Sequence, residues 1–191
     1  MWLRRASRTW QRSWALDASA MELPGSGYLY ALATISVNFV GFSALLLVFR
    51  QAAGGGATRY DSYFLLAFMQ VGFIIAGGSM LPPLLSLFRL AETTVWRASS
   101  AITAIPILLF VATVPRRRRR AVSGPAPFFV RLLLVLQLLM ALSLLMNAAA
   151  IRWTPSAAHY AAVMAGMLFT SGIAYLMALD LALREPLSPR K

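Results

Sequence analysis

Apolar residues run along this chain in five long blocks, at roughly 26–49, 62–88, 95–114, 126–151 and 155–183, parted by short stretches rich in Gly, Pro and Arg. Each block is long enough, at ~1.5 Å per residue, for a helix to cross a hydrocarbon layer of about 30 Å. The pattern predicts an all-α fold, a polytopic transmembrane helical bundle of five spanning helices. The third block is the weakest. Arg97, Ser99, Ser100 and Thr103 erode its start and Pro106 interrupts it, so its clean run, 101–114, has the length of a re-entrant segment. Four spans plus one re-entrant segment is therefore the alternative.

Polar residues punctuate the blocks. The first opens after Pro24-Gly25, carries Tyr28 and Tyr30 at its water boundary and closes at Arg50, with Thr34, Ser36, Asn38 and Ser43 inside. The second holds Gln70, Gly77-Gly78-Ser79 and Pro82-Pro83. Proline removes a backbone donor and crowds the preceding turn, so this helix is expected to kink or break there, with the Gly77 to Pro83 segment buried where neighbours satisfy the freed carbonyls. The fourth block carries Arg131 near its end and Gln137, Ser143 and Asn147 along it. The fifth has small residues at every fourth position: Ala158, Ala162, Gly166, Thr170 and Ala174, then Ala178 and Ala182. That spacing lets helix backbones approach closely and marks a helix-packing face, within the protomer or between subunits. Because an i+4 row drifts by ~40° per step on a straight helix, only three or four rungs can meet one neighbour.

Composition agrees with a membrane reading. The chain has 191 residues, 59% hydrophobic and only 13% charged, and its mean hydropathy is +0.68; soluble domains carry about 25% charged residues. The blocks form one domain, residues 21–185, and leave no room for a separate soluble core. A basic segment, 1–20, precedes it and a polar tail, 186–191, follows. In the basic segment Trp2, Leu3, Ala6, Trp10 and Trp14 gather opposite Arg4, Arg5, Arg8 and Arg12, as on a helix lying in the headgroup layer. A secretory signal is disfavoured because no apolar core lies between Arg4-Arg5 and Ala18-Ser19-Ala20. The alternatives are an organelle transit peptide, and a start at Met21 that leaves 1–20 outside the protein.

The net charge of +12 comes from 18 basic residues against 6 carboxylates. Arg116, Arg117, Arg118, Arg119 and Arg120 stand in a row that is costly to translocate, which places the 115–126 loop in the cytoplasm. Five spans then put the N-terminus outside, with Arg50, Arg59, Arg131, Arg184, Arg190 and Lys191 joining that run inside. Arg89, Arg97, Arg152 and the four arginines of 1–20 fall outside. The Arg116–Arg120 run acts as a topology determinant and as a contact for anionic lipid head groups. The same excess could attract nucleic acid, but no aromatic-basic recognition module accompanies it, so no nucleic-acid partner is expected. The preference for Arg over Lys, with abundant Ala, Leu and Gly, is associated with GC-rich bacterial genomes and points to a bacterial inner membrane.

Catalytic chemistry has little to build on. There is no cysteine and only one histidine, His159. No carboxylate pair, phosphate-cradling glycine loop or metal-ligand cluster is present, so no cofactor, no metal and no enzymatic activity are expected. Gly77-Gly78-Ser79 with His159 invites comparison with an intramembrane serine protease, but the glycine after the serine is missing and His159 sits near a membrane boundary. Asp180 and Arg184 have the spacing of a helical salt bridge. Asn38, Gln70, Ser79 and His159 are the candidates for a polar path, because intramembrane polar and ionisable groups mark such paths and broken helices often hold binding sites. Two functions result: a small non-enzymatic accessory or packing component that assembles with itself or a membrane-protein partner, or an oligomeric transporter or channel subunit. Polar groups around a hydrated cavity would favour transport; pairing across dry helix contacts would favour the accessory role.

Overall fold

The computed structural model describes residues 23–52, 59–121, 128–151 and 154–184. They form five helices and no strand: α1, Ser26–Ala52; α2, Arg59–Ser86; α3, Glu92–Ala121; α4, Phe128–Ala149; α5, Ala157–Arg184. Each is long and apolar enough to span a membrane. Residues 1–20, the Gly54-Gly55-Gly56 loop and the tail 186–191 lie outside the described residues, as do the side chains of Asp180 and Arg184.

The helices close a ring in chain order: α1 packs on α2, α2 on α3, α3 on α4, α4 on α5, and α5 on α1. α5 also leans across the ring onto α2 and touches α3. α1, α3 and α5 end where α2 and α4 begin, and the arginine run lies there; we call this the arginine end. Leu29, Ile75, Trp96, Ile107, Leu144 and Met164 fill the interior. Outward positions are apolar too, with Phe42, Phe73, Leu109 and Phe169 more than half exposed. This inverted surface suits hydrocarbon and would be a large exposed patch in water.

Two glycines set the closest helix approaches. A Cβ on Gly72 would lie 2.4 Å from Val40 Cγ2 and 3.4 Å from the Ser36 carbonyl oxygen, so α1 and α2 cross nearly backbone to backbone. A Cβ on Gly78 would lie 2.6 Å from Met164 Cε and 2.8 Å from Thr103 Cγ2, where α5 and α3 converge on α2. Small residues permit such approaches, and in lipid the dispersion contacts they open are a main source of helix association.

Two expectations are corrected, and of the two readings of the third block the spanning one holds. Of the kink or break expected at Pro82-Pro83, the break is absent: α2 continues to Ser86, and the carbonyl freed by Pro82 finds a partner on another helix, described below. α3 is one continuous helix of 30 residues, about 45 Å long, and therefore not a re-entrant segment. The arginine run is not loop: α3 carries on through Pro115, and Arg118, Arg119 and Arg120 form its last turn. Arginine has good helix propensity, and cations complement the negative end of the helix dipole.

α4 stops at a strained residue. Ala150 has φ 54°, while its N–H donates to the Asn147 carbonyl and that of Ile151 to the Met146 carbonyl, both at 3.4 Å. This left-handed cap normally uses glycine, since a Cβ there costs on the order of 1 kcal/mol. Ala150→Gly is therefore expected to raise stability by about that amount, readable as a higher denaturation midpoint in mixed micelles.

Candidate functional site

The end of the bundle opposite the arginines is tied by side-chain hydrogen bonds. Pro82 has no N–H to give the carbonyl of Gly78, four residues earlier. Tyr160 supplies the missing donor: its hydroxyl donates to Gly78 O at 2.6 Å and lies 2.8 Å from Thr103 Oγ1. One buried phenol thus joins α2, α3 and α5, with the Trp96 ring 5.8 Å from its own. Nearby, Asn147 Nδ2 donates to Ser100 Oγ at 2.9 Å, and Asn147 Oδ1 accepts the Ser156 N–H at 3.3 Å. Ser156 caps α5, its Oγ accepting the His159 N–H at 3.3 Å. Arg97 Nε donates to the Ala148 carbonyl at 2.9 Å, serving one of the last carbonyls of α4.

α4 buries four residues, Gln137, Ala141, Leu144 and Asn147, along one stripe. The two amides among them tie this stripe to the neighbouring helices through their side chains. Asn147 is accounted for above; Gln137 Nε2 reaches Thr170 Oγ1 at 3.3 Å and Ser171 Oγ at 3.5 Å on α5.

At the arginine end a cavity of about 530 Å³ opens between α2, α3, α4 and α5. Its walls are aromatic and aliphatic, among them Phe64, Phe68, Phe110, Phe129 and Leu133, and no charged side chain lines it among the described residues. Gln137, Thr170 and Ser171 supply polar atoms. Beside it Phe39, Phe68 and Tyr175 make an edge-to-face cluster, with centroids 5.0–6.2 Å apart, that joins α1, α2 and α5. Arg116, Arg119 and Arg120 are exposed beyond this end, Arg118 is buried, and Arg117 Nη1 donates to Gln70 Oε1 at 2.8 Å.

The four residues expected to share a polar path are not brought together. Asn38 points outward from α1. Gln70 is bound to Arg117. Ser79 is fully buried, and its Oγ has no hydrogen-bond partner. His159 Nε2 lies 2.9 Å from Ser143 Oγ and 3.2 Å from the Ser143 carbonyl. No Ser79–His159 dyad is formed. The small-residue row on α5 behaves as its drift requires: Ala158 and Ala162 are exposed, a Cβ on Gly166 would lie 3.0 Å from Met140 Cε on α4, Thr170 meets Gln137, and Ala174 reaches the cavity wall.

Asn38 is the polar residue whose position asks most for an explanation. It lies about 18 Å from one end and 12 Å from the other of the 21-residue span Ser26–Leu46, and it makes no hydrogen bond with any described residue. Gly27, Ala31, Thr34, Gly41 and Leu45 share its face, and all are exposed. Among the described residues, nothing lies within 4 Å of a Cβ built on Gly27 or Gly41. The Thr34 hydroxyl is turned back onto the Tyr30 carbonyl at 2.9 Å, leaving the amide as the unmet polar group of the face.

Sequence reasoning missed Tyr160 and the outward seam. The first left a signal in the four-residue offset between Gly78 and Pro82, which orphans one carbonyl and calls for a donor. The second was visible in the alternating four- and three-residue spacing of positions 27, 31, 34, 38, 41 and 45.

Fold and contacts define the class: this is a multi-pass integral membrane protein, an all-α bundle of five spanning helices locked by interhelical hydrogen bonds. Compared with known proteins, the chain matches no family model, and neither a curated protein nor a solved structure shows significant similarity to it.

Proposed function

We propose that this protein is a small non-enzymatic accessory component of a bacterial inner membrane, with its arginine end cytoplasmic, and that it acts by packing against a second copy of itself through α1. The observation that carries the reading is the exposed Asn38 amide, unpaired among the described residues and in the middle third of the apolar span Ser26–Leu46. Moving an amide into a solvent that cannot hydrogen-bond costs about 4–8 kcal/mol. An amide is self-complementary, donor on one side and acceptor on the other. Copies inserted with the same topology and related by a twofold axis along the membrane normal bring Asn38 against Asn38.

The rest of the face fits that partner. Alternating four- and three-residue spacing is the seam of left-handed helix pairs, small residues allow close approach, and a lone asparagine on such a seam fixes register and favours dimers. The arginine positions suit the topology, and exposed Arg116, Arg119 and Arg120 suit anionic head groups at ~1 kcal/mol each. Against a channel or transporter, Gln70 and His159 are held in hydrogen bonds with Arg117 and Ser143.

Subunit counting by photobleaching in lipid vesicles tests the reading across protein-to-lipid ratios. Wild type is expected to show two copies. Asn38→Leu is expected to weaken the dimer about five- to thirtyfold, the equivalent of ~1–2 kcal/mol for an intramembrane amide pair. Wild type counted as single copies at every ratio contradicts the proposal.

A further inference from the structure

One arginine of the run is turned back along the bundle rather than out to water. Arg117 is exposed near the end of α3, and its Nη1 donates to Gln70 Oε1 on α2 at 2.8 Å. Gln70 stands seven residues in from the start of the apolar span Tyr63–Ser86, about 10 Å along the helix. A glutamine side chain is too short to bring that bond out past the level of Tyr63, so the guanidinium is held inside the span. Helix geometry accounts for the meeting: side chains lean toward the start of their own helix, so those of antiparallel α2 and α3 lean toward one another here. An arginine near a membrane boundary usually snorkels the other way, to the headgroup layer. The amide meets one N–H and leaves the charge, and an ionisable group at such a place is by default a candidate binding site.

The surroundings of the guanidinium say what it would bind. Leu66, Gln70, Phe73 and Gly77 follow at four- and three-residue steps and so share a face of α2. Leu66 is 53% and Phe73 58% exposed, and among the described residues nothing lies within 4 Å of a Cβ built on Gly77. The charge therefore sits at the head of an open apolar strip that faces hydrocarbon, shallow enough for a lipid phosphate to reach. The stretches of sequence at this end, 50–61, 116–131 and 180–191, hold eleven basic residues against three carboxylates, Asp61, Asp180 and Glu185, so the local field favours an anion wherever those side chains point. A guanidinium is planar, and its paired N–H groups match the oxygens of a phosphate two by two. We propose that Arg117, steered by Gln70, receives the phosphate of one anionic glycerophospholipid whose acyl chain lies along Leu66, Phe73 and Gly77. This is one defined site, beyond the diffuse attraction of the exposed arginines. It lies away from the outward face of α1, so it stands or falls separately from assembly through Asn38.

Native mass spectrometry of the full chain in detergent, titrated with phosphatidylglycerol or with phosphatidylcholine of the same acyl chains, provides the test. Wild type is expected to bind its first phosphatidylglycerol about five- to twentyfold more tightly than phosphatidylcholine. Arg117→Gln should bring the two lipids to within about twofold of each other, and Gln70→Leu, which keeps the charge but removes its anchor, should lower the preference by about threefold. Arg119→Gln is the control: position 119 is two residues further on and so faces the opposite side of α3, and the preference should persist. Glycerol phosphate, which has the phosphate without the chains, should not displace the lipid. Equal affinity for the two lipids overturns the proposal in the wild-type protein, where no variant has to fold. So does displacement by glycerol phosphate, which would make the ligand a free phosphate. Equal losses from Arg117→Gln and Arg119→Gln also overturn it, since surface charge alone would then account for the preference.

Discussion

Tyr160→Phe is expected to lower the unfolding free energy by about 1–3 kcal/mol although it removes a single oxygen. That hydroxyl is the donor to a buried carbonyl which Pro82 has deprived of its own helical partner, and it is the bond joining α2, α3 and α5. The cause can be separated from the general loss of a contact. In a Pro82→Ala background residue 82 regains an N–H, Gly78 O regains a helical donor, and Tyr160→Phe should cost much less. The two changes should therefore couple by about 1 kcal/mol or more in a double-mutant cycle measured by equilibrium unfolding in mixed micelles. Additivity within error would show that the phenol does not act through the orphaned carbonyl.

Gly72→Val should be of similar or greater effect, about 1–3 kcal/mol or more, because it overfills the tightest contact between α1 and α2. A Cβ there meets Val40 Cγ2 at 2.4 Å, and a β-branched side chain held in one helical rotamer cannot swing away. Behind it lies the Ser36 carbonyl, so relief requires the helices to part. Gly77 supplies the contrast on the same helix. Nothing lies within 4 Å of its Cβ position, so Gly77→Ala is expected to be neutral or to stabilise by up to ~1 kcal/mol through helix propensity. Thermal unfolding midpoints of the two variants in detergent check the pair; equal effects would remove the close crossing from the account.

The five-helix fold was legible because hydrocarbon imposes long uninterrupted apolar runs, and those runs can be counted. Helix ends were less legible. Pro82, Pro106 and Pro115 are local breakers whose effect is decided by what lies beside them, and a tyrosine 78 residues after Pro82 in the chain cannot be read from the residues around that proline. The arginine run was assigned to loop on its charge, whereas the end of a helix tolerates and even favours such charge. The polar path is a related case: intramembrane position identifies Asn38, Gln70, Ser79 and His159 as unusual, but direction around each helix decides whether they meet. Asn38 turned outward, and the spacing of its small neighbours held that information.

Assembly through α1 can be measured most directly by single-cysteine crosslinking, since the natural chain contains no cysteine and every variant starts from a silent background. Cysteines placed one at a time from position 27 to 45 and oxidised in native membranes should crosslink maximally at 27, 31, 34, 38, 41 and 45, and weakly at 29, 32, 36 and 43, which face the bundle. A flat profile, no crosslinking, or maxima on another face of α1 would contradict it.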